Sequence, residues 1–518
     1  MVLVSGASTV SGATHQHARL ARGALYLTTQ NLGLSLLSAI GFSILARIIS
    51  TKEMGMLAIL LLINATCVAF FTWFAPAVTK FIGENLSKGS KSAAAAAFYQ
   101  ALRADLLIYI PVSGAIYFGA PFLASHVLGD SSYALLFRVV AFDTIVYGAM
   151  LQVLVAAMLG LQKFREIAIV SLVTGGILKQ VLVIVLLILM RNFVGLAIGW
   201  LVSDAMTVAA YFPFVVRALG PPRFDFPFAR LFHFYLPLEF SSILIYAQTW
   251  FDRAMLILFV PLATLGIYNA AVTVFGVLVS VSAGVTSMLI SAYSSLAGKT
   301  SNRDSFREAI YSATRYASIA ITPLAFGLLS IARPVLTIIL GKSYAPGYVP
   351  LMILSGALGI TAFSTGYTGI FVALEKTRVA ALINAVAVAV ALVVMYELDP
   401  IWGMLGASTG SASVMVVTAF LEVLILKRWK VLKLDLVTIA KTLAAGTVMV
   451  ATVVAVQVVE YGKFMLPLYV VIGASVYLIM LRLLRVVNVG DLSLLRLLLG
   501  NRLSRVSSIL DRLFGVAH

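Results

Sequence analysis

Lys179 and Asp204 stand in otherwise uninterrupted apolar sequence, and any chemistry this chain performs has to begin with them. Inside a bilayer an ionisable side chain costs on the order of several kcal/mol unless it is paired or wetted, so each one is a candidate functional group. Each lies about 12 residues from the inner end of its apolar stretch, roughly 18 Å deep at 1.5 Å per residue. Two adjacent antiparallel helices would bring the charges face to face. The pair can be structural, sealing a bundle, or a switch in which an anionic ligand competes with Asp204 for the Lys179 ammonium. Asp143 is expected in the outer half of a neighbouring helix, with Gln152 further in, and Glu239 beside Pro237 near an inner mouth. Gln30, Asn31, Tyr246 and Gln248 could exchange hydrogen bonds with a hydroxyl-rich ligand such as a sugar, or hold helices together. Asp252 and Arg253 are expected as a rim pair at the outer end of their helix.

The elements that position these residues follow from composition. The chain has 518 residues, 61% hydrophobic and 11% charged, and its mean hydropathy is +1.04, which leaves too little polar surface for a soluble globule. Apolar runs of about 20 residues recur, each long enough to cross a ~30 Å hydrocarbon layer, and none alternates as a barrel strand would. The expected fold is therefore all-α and polytopic. Its single cysteine, Cys67, excludes an intramolecular disulfide. The five histidines are scattered in tails and at helix ends and make no metal site. Gly298-Lys299-Thr300 lacks the earlier glycine of a nucleotide-binding loop. No cofactor is expected. The loops are too short for a catalytic domain, so the chain is not expected to be an enzyme.

Fourteen transmembrane helices are expected, with both termini cytoplasmic, because positive charge gathers on one side. Of the 37 Lys and Arg residues, only Arg47, Lys52, Arg138, Arg191, Arg253, Arg333, Lys342 and Lys463 fall in outer segments and Lys179 in a span. The same bias explains the net charge of +17 without nucleic acid as a partner. An internal repeat divides the chain. Superposing Gly55 on Gly266 also superposes Lys88 on Lys299; Gly129 then meets Gly341, and Lys163 meets Lys376, at offsets longer by one and two residues. Repeats at one spacing mark related units. Six helices in each half make the repeat parallel, with a pseudo-twofold axis along the membrane normal. The expected organisation is a disordered cytoplasmic tail (1–23), an N-lobe of helices 1–6 (24–218), a cytoplasmic linker (219–233), a C-lobe of helices 7–12 (234–426), helices 13–14 (427–486) and a cytoplasmic amphipathic tail (487–518). That last tail carries Arg496, Arg502, Arg505 and Arg512 beside an apolar stripe. It suits either an interfacial helix or a simple positive flank.

The two-lobe plan, the Gly55 turn after Arg47 to Lys52, the Pro237 to Asp252 opening of the second lobe, the Gly266-Ile267-Tyr268 turn and Gly341-Lys342-Ser343-Tyr344 together resemble the polysaccharide transporter family. That family includes the Wzx-type oligosaccharide flippases and belongs to the multidrug/oligosaccharidyl-lipid/polysaccharide (MOP) exporter superfamily. The resemblance spans roughly residues 20–485. It implies alternating access of two six-helix lobes that turn a polyprenyl-(di)phosphate-linked oligosaccharide from the inner to the outer leaflet of a bacterial or archaeal plasma membrane. The lipid-linked substrate and membrane lipid would be its partners, and it would act as a monomer beside glycan-assembly enzymes. In this reading Lys179 binds the phosphate, Gln30, Asn31, Gln248 and Tyr246 face the sugar, and Asp204, Asp143 and Glu239 are intramembrane charges. A drug or cation antiporter coupled through Asp143 and Asp204 is the alternative. A lipid II-type flippase would be expected to carry arginines where helix 1 has Gln30 and Asn31. An energy-independent scramblase or structural membrane protein would use Lys179 and Asp204 for stability alone.

Overall fold

The computed structural model describes residues 5–297, 303–460, 462 and 465–486. Among these residues every regular element is helical. The chain divides into two compact units, Met1–Phe251 and Asp252–His518, each considered by itself.

The first unit opens with α1 (Ser5–Ile48). Residues 5–23, expected as a disordered tail, continue this helix upstream of its apolar span, which begins at Leu25. No proline interrupts the sequence there, so nothing removes the backbone donors that propagate a helix. From Leu25 the exposed residues Leu32, Leu36 and Ile40 form one outward stripe, as a lipid-facing helix requires. Next comes α2 (Thr51–Phe71), started by a reciprocal cap in which the Ser50 hydroxyl accepts from the Glu53 amide and Glu53 accepts from the Ser50 amide. It stops short of Pro76, and α3 (Ala75–Ser87) resumes with that proline in its first turn, where a missing N–H costs nothing. Then follow α4 (Lys91–Phe118), α5 (Ala120–Val127), α6 (Ser131–Gly160), α7 (Phe164–Met190), α8 (Val194–Leu219) and α9 (Phe228–Leu256). Phe74, Phe81, Phe98, Tyr211 and Leu231 anchor the core of this unit. Close approach of α1 to α7 depends on Gly33 and Gly41, where an added Cβ would fall 2.6 Å from Leu172 and 2.1 Å from Gln180.

Entered at Asp252, the second unit contains α10 (Leu262–Ala297), α11 (Arg303–Ser330) and a short α12 (Ala332–Leu340). It continues with α13 (Lys342–Ser364), α14 (Tyr367–Ala373), α15 (Thr377–Trp402), α16 (Met404–Arg428), α17 (Leu436–Val459) and α18 (Leu466–Leu483). Apolar α17 and α18 pack on α11 through Phe326, Met449, Tyr477 and Leu481. The Gln457 amide, donating to the Ser330 carbonyl at 2.8 Å, ties α17 to the end of α11.

Among the described residues twelve helices are long and apolar enough to cross a membrane, or up to 13 when α11 and α12, bent by 66°, count as one span. Fourteen were expected. The expected seventh, α9, is not among the qualifying spans, and it carries Arg230, Glu239, Asp252 and Arg253. The expected C-terminal amphipathic tail lies outside the described residues.

Candidate functional site

In the first unit α6, α7 and α8 assemble a charged cluster. The Lys179 ammonium donates to both Asp204 oxygens, at 2.9 and 3.0 Å. Asp204 is 3% exposed and the lysine side chain 22%, so the carboxylate is sealed and the lysine side chain less completely enclosed. Two rings flank the ammonium, Tyr147 at 5.6 Å and Trp200 at 5.7 Å to their centroids, the geometry in which an aromatic face attracts a cation. Asp143 interacts electrostatically with both Lys179 and Asp204. One of its oxygens accepts from the Asn64 amide of α2 at 3.4 Å. The other is buried with no hydrogen-bond partner among the described residues.

Local backbone explains the convergence. Both α6 and α7 carry a π-helical segment flanked on either side by α-helix, over Thr144–Leu151 and Ser171–Leu178. Asp143 immediately precedes the first wide segment and Lys179 immediately follows the second. Such segments loosen the regular i→i−4 ladder and recur at functional sites. The carbonyl of Thr174, inside the second, accepts from the Ser203 hydroxyl at 2.9 Å, and Thr207 donates to the Thr174 hydroxyl at 2.8 Å. These bonds fasten α8 alongside the widened helix and fix the level at which Asp204 meets Lys179.

A second buried cluster lies in the other unit. Asp252 and Arg253, expected at an exposed rim, are 5% and 6% exposed. Asp252 accepts from the Tyr268 hydroxyl at 2.8 Å and from the Arg253 amide at 2.7 Å. Arg253 donates from Nε to Asn269 at 3.1 Å and pairs with Asp252 at 3.6 Å. Asp399, near the end of α15, interacts electrostatically with Asp252 and is 1% exposed. It lies so close to Gly406 that a Cβ there would come within 2.6 Å of its carboxylate. Among the described residues no group of three or more His, Cys, Asp or Glu could hold a metal ion.

The remaining expected residues do not join either cluster. The Tyr246 hydroxyl is 2.6 Å from that of Thr66, and its ring meets Phe70 edge-on at 5.6 Å. Gln30 is half-buried, with its Oε1 unpartnered among the described residues; Asn31 is exposed, and Gln248 and Glu239 are half-buried.

Residues 44–348 match the model of a family described as polysaccharide biosynthesis protein, more than half of the chain and reaching into both units. The chain belongs to the polysaccharide biosynthesis protein family. Its fold is similar to that of the lipid II flippase MurJ in an inward closed conformation, at 13% identity and a TM-score of 0.66, over 89% of this chain and 97% of that one. An inward-facing multidrug resistance MATE transporter of the MOP superfamily follows at 14% identity and 0.61, over 79% and 94%. A MOP superfamily transporter from Pyrococcus furiosus matches at 14% and 0.52, over 78% and 96%. No curated protein sequence is significantly similar. At these identities the likeness is one of fold. With its apolar helices it makes this family member a multi-pass membrane protein with a MOP transporter fold, in keeping with a plasma membrane location.

Several buried polar residues had escaped the sequence reading. Asp105 is fully buried on α4, its carboxylate facing the backbone N–H groups of Trp73 and Phe74 without reaching hydrogen-bond geometry. One turn later the Tyr109 hydroxyl sits 2.7 Å from that of Thr72 and donates to the Cys67 carbonyl at 3.0 Å. Together they hold the break between α2 and α3. Pro76 signalled that break in sequence, but nothing there signalled its partners. Glu422 on α16, 4% exposed, accepts from the Thr368 hydroxyl of α14 at 2.8 Å.

Proposed function

We propose that this protein is a flippase that carries a polyprenyl-(di)phosphate-linked oligosaccharide from the inner to the outer leaflet by alternating access, in the course of polysaccharide assembly. One observation carries the reading: in a chain of the polysaccharide biosynthesis family, the Lys179 ammonium is held within the first unit by a sealed carboxylate and two aromatic faces. A phosphate needs a cation that can be surrendered to it. Asp204 keeps Lys179 charged and positioned until an anionic head group competes for it. Asp143 then offers the counter-field that lets the ligand leave. The aromatic faces suit sugar rings as well as the cation. No covalent step is involved, and the working orientation has both termini in the cytoplasm. The protein acts as a monomer beside the enzymes that assemble and polymerise the glycan.

The test is transport in proteoliposomes loaded with a fluorescent polyprenyl-diphosphate oligosaccharide. Lys179→Gln is expected to abolish translocation in protein that retains its thermal transition. Intact transport by that variant would remove Lys179 from the phosphate site. A second reading, a proton- or sodium-coupled antiporter, is favoured by one feature, the buried and unpartnered oxygen of Asp143. It predicts that Asp143→Asn uncouples cation export from a pH or sodium gradient and leaves lipid translocation absent in every variant.

A further inference from the structure

A cavity of about 310 Å³ opens in the first unit between α4, Trp73 in the break between α2 and α3, and the start of α9. That volume sits at the small end of the ~300–1,000 Å³ range of ligand sites. Its lining is apolar except at one end: Trp73, Leu107, Ile108 and Phe228 make the walls, and Arg103 and Gln100 the polar mouth. Arg103, Leu107, Ile110 and Gly114 recur at helical spacing and so share one face of α4. Leu107 and Ile110 are 61% and 56% exposed, and at Gly114 a side chain would meet nothing within 4 Å. The cavity thus adjoins an exposed apolar face along the outside of the helix. Arg103 stands where the apolar run of α4 begins. Long cationic side chains there reach head-group level while their stems lie along hydrocarbon.

The charges at the mouth also point to an occupant. Arg103 joins no ion pair among the described residues; its guanidinium lies 5.6 Å from the Phe224 ring centroid. Beside it, Gln100 Oε1 is buried without a donor. A cation without an anion and an acceptor without a donor, beside an exposed apolar face, match a phosphate diester, a head-group hydroxyl and an acyl chain in that order. We propose that an anionic phospholipid of the surrounding bilayer, with a hydroxylated head group such as glycerol, occupies this cavity. Its phosphate meets Arg103, its hydroxyl meets Gln100, and one chain lies along Leu107, Ile110 and Gly114. On the orientation proposed above this is the cytoplasmic leaflet, whose surface is negative. The lipid would touch Trp73 inside the break between α2 and α3, so occupancy would brace that break.

Native mass spectrometry of the full chain in detergent, titrated with phosphatidylglycerol or phosphatidylcholine of matched chains, tests the site. Wild type is expected to retain one phosphatidylglycerol in preference to phosphatidylcholine. Arg103→Gln should weaken that retention about fivefold, the loss of one interfacial cation. Leu107→Trp, which keeps the charge and fills the cavity, should also lose it, whereas Arg138→Gln, outside the cavity, should not. If Arg103→Gln fails to fold, Arg103→Lys with Leu107→Trp carries the test, because only the second should lose the lipid. Equal retention by wild type and Leu107→Trp, or displacement of the lipid by millimolar inorganic phosphate, would overturn the proposal.

Discussion

The two buried charge clusters differ in how they are assembled, and that difference separates a site from a fastening. In the first unit the opposite charges come from two helices, Lys179 on α7 and Asp204 on α8, beside a backbone already widened on both α6 and α7. The cation is on a long side chain that is partly exposed. In the second unit Asp252 and Arg253 are neighbours in sequence, almost fully enclosed, and each is tied to α10 through Tyr268 or Asn269. A ligand could draw Lys179 away from its partner by rotating one flexible side chain, whereas freeing Arg253 would mean opening a packed core. The two units thus invest their charges differently.

The comparison can be broken at its strongest point. Asp204→Ala leaves Lys179 with no sealed partner and should cost about 3–5 kcal/mol, read as a lowered thermal midpoint in mild detergent. The charge-swapped pair Lys179→Asp with Asp204→Lys should recover much of it, and failure to recover would show that the two charges do not act as a pair. Next, Tyr268→Phe, which removes the donor to Asp252, should cost roughly 1–3 kcal/mol because a buried carboxylate oxygen loses its bond. It should leave translocation by surviving protein unchanged, and a transport defect at native stability would make the second cluster a site after all. A smaller effect, about 0.5–1.5 kcal/mol, is expected from Tyr109→Phe, which loses the contacts with Thr72 and Cys67 at the helix break. Denaturant titration reads it.

The smallest effect depends on pH and lies outside the spans. Glu84 on α3 binds Lys88 at 2.6 Å and Arg230 of α9 at 3.0 Å. The hydrogen bond from Lys88, with the nearby charges of Lys88 and Arg230, holds its carboxyl below the ordinary value. A depressed carboxylate adds stability that is present above its unfolded value and is lost as the pH falls through its folded one. Glu84→Gln should therefore lower stability slightly near neutrality and flatten the acid-side decline, the two proteins converging at low pH. An unchanged acid limb would show that solvent screens this contact completely.

Apolar runs made the helices legible, because a bilayer demands about 20 such residues whatever else the sequence encodes. The opposition of Lys179 and Asp204 was legible for the same reason: two charges at matched depth on neighbouring helices have few other partners. What escaped was set by tertiary contacts. Neither Thr144–Leu151 nor Ser171–Leu178 contains a residue type that demands a wide turn. Asp399 drew no notice in the sequence, where polarity begins at the end of an apolar window, yet α15 continues to Trp402 and buries it. Asp105 was passed over at the boundary of its run for a similar reason, though α4 begins well before that run, at Lys91. Asp252 and Arg253 were expected at the rim because a charged pair at a helix end usually faces water, and here Tyr268 and Asn269 supply the polar partners instead.

The wide turns in α6 and α7 also act as a gear. Each residue of slippage in a helical ladder rotates everything beyond it by about 100° relative to the turns before. Lys179 follows immediately after one such turn, so its compass bearing is set by how that turn is wound as much as by its place in the sequence. A one-residue deletion within Ser171–Leu178 would leave the charge at nearly the same depth and aim it at a different neighbour.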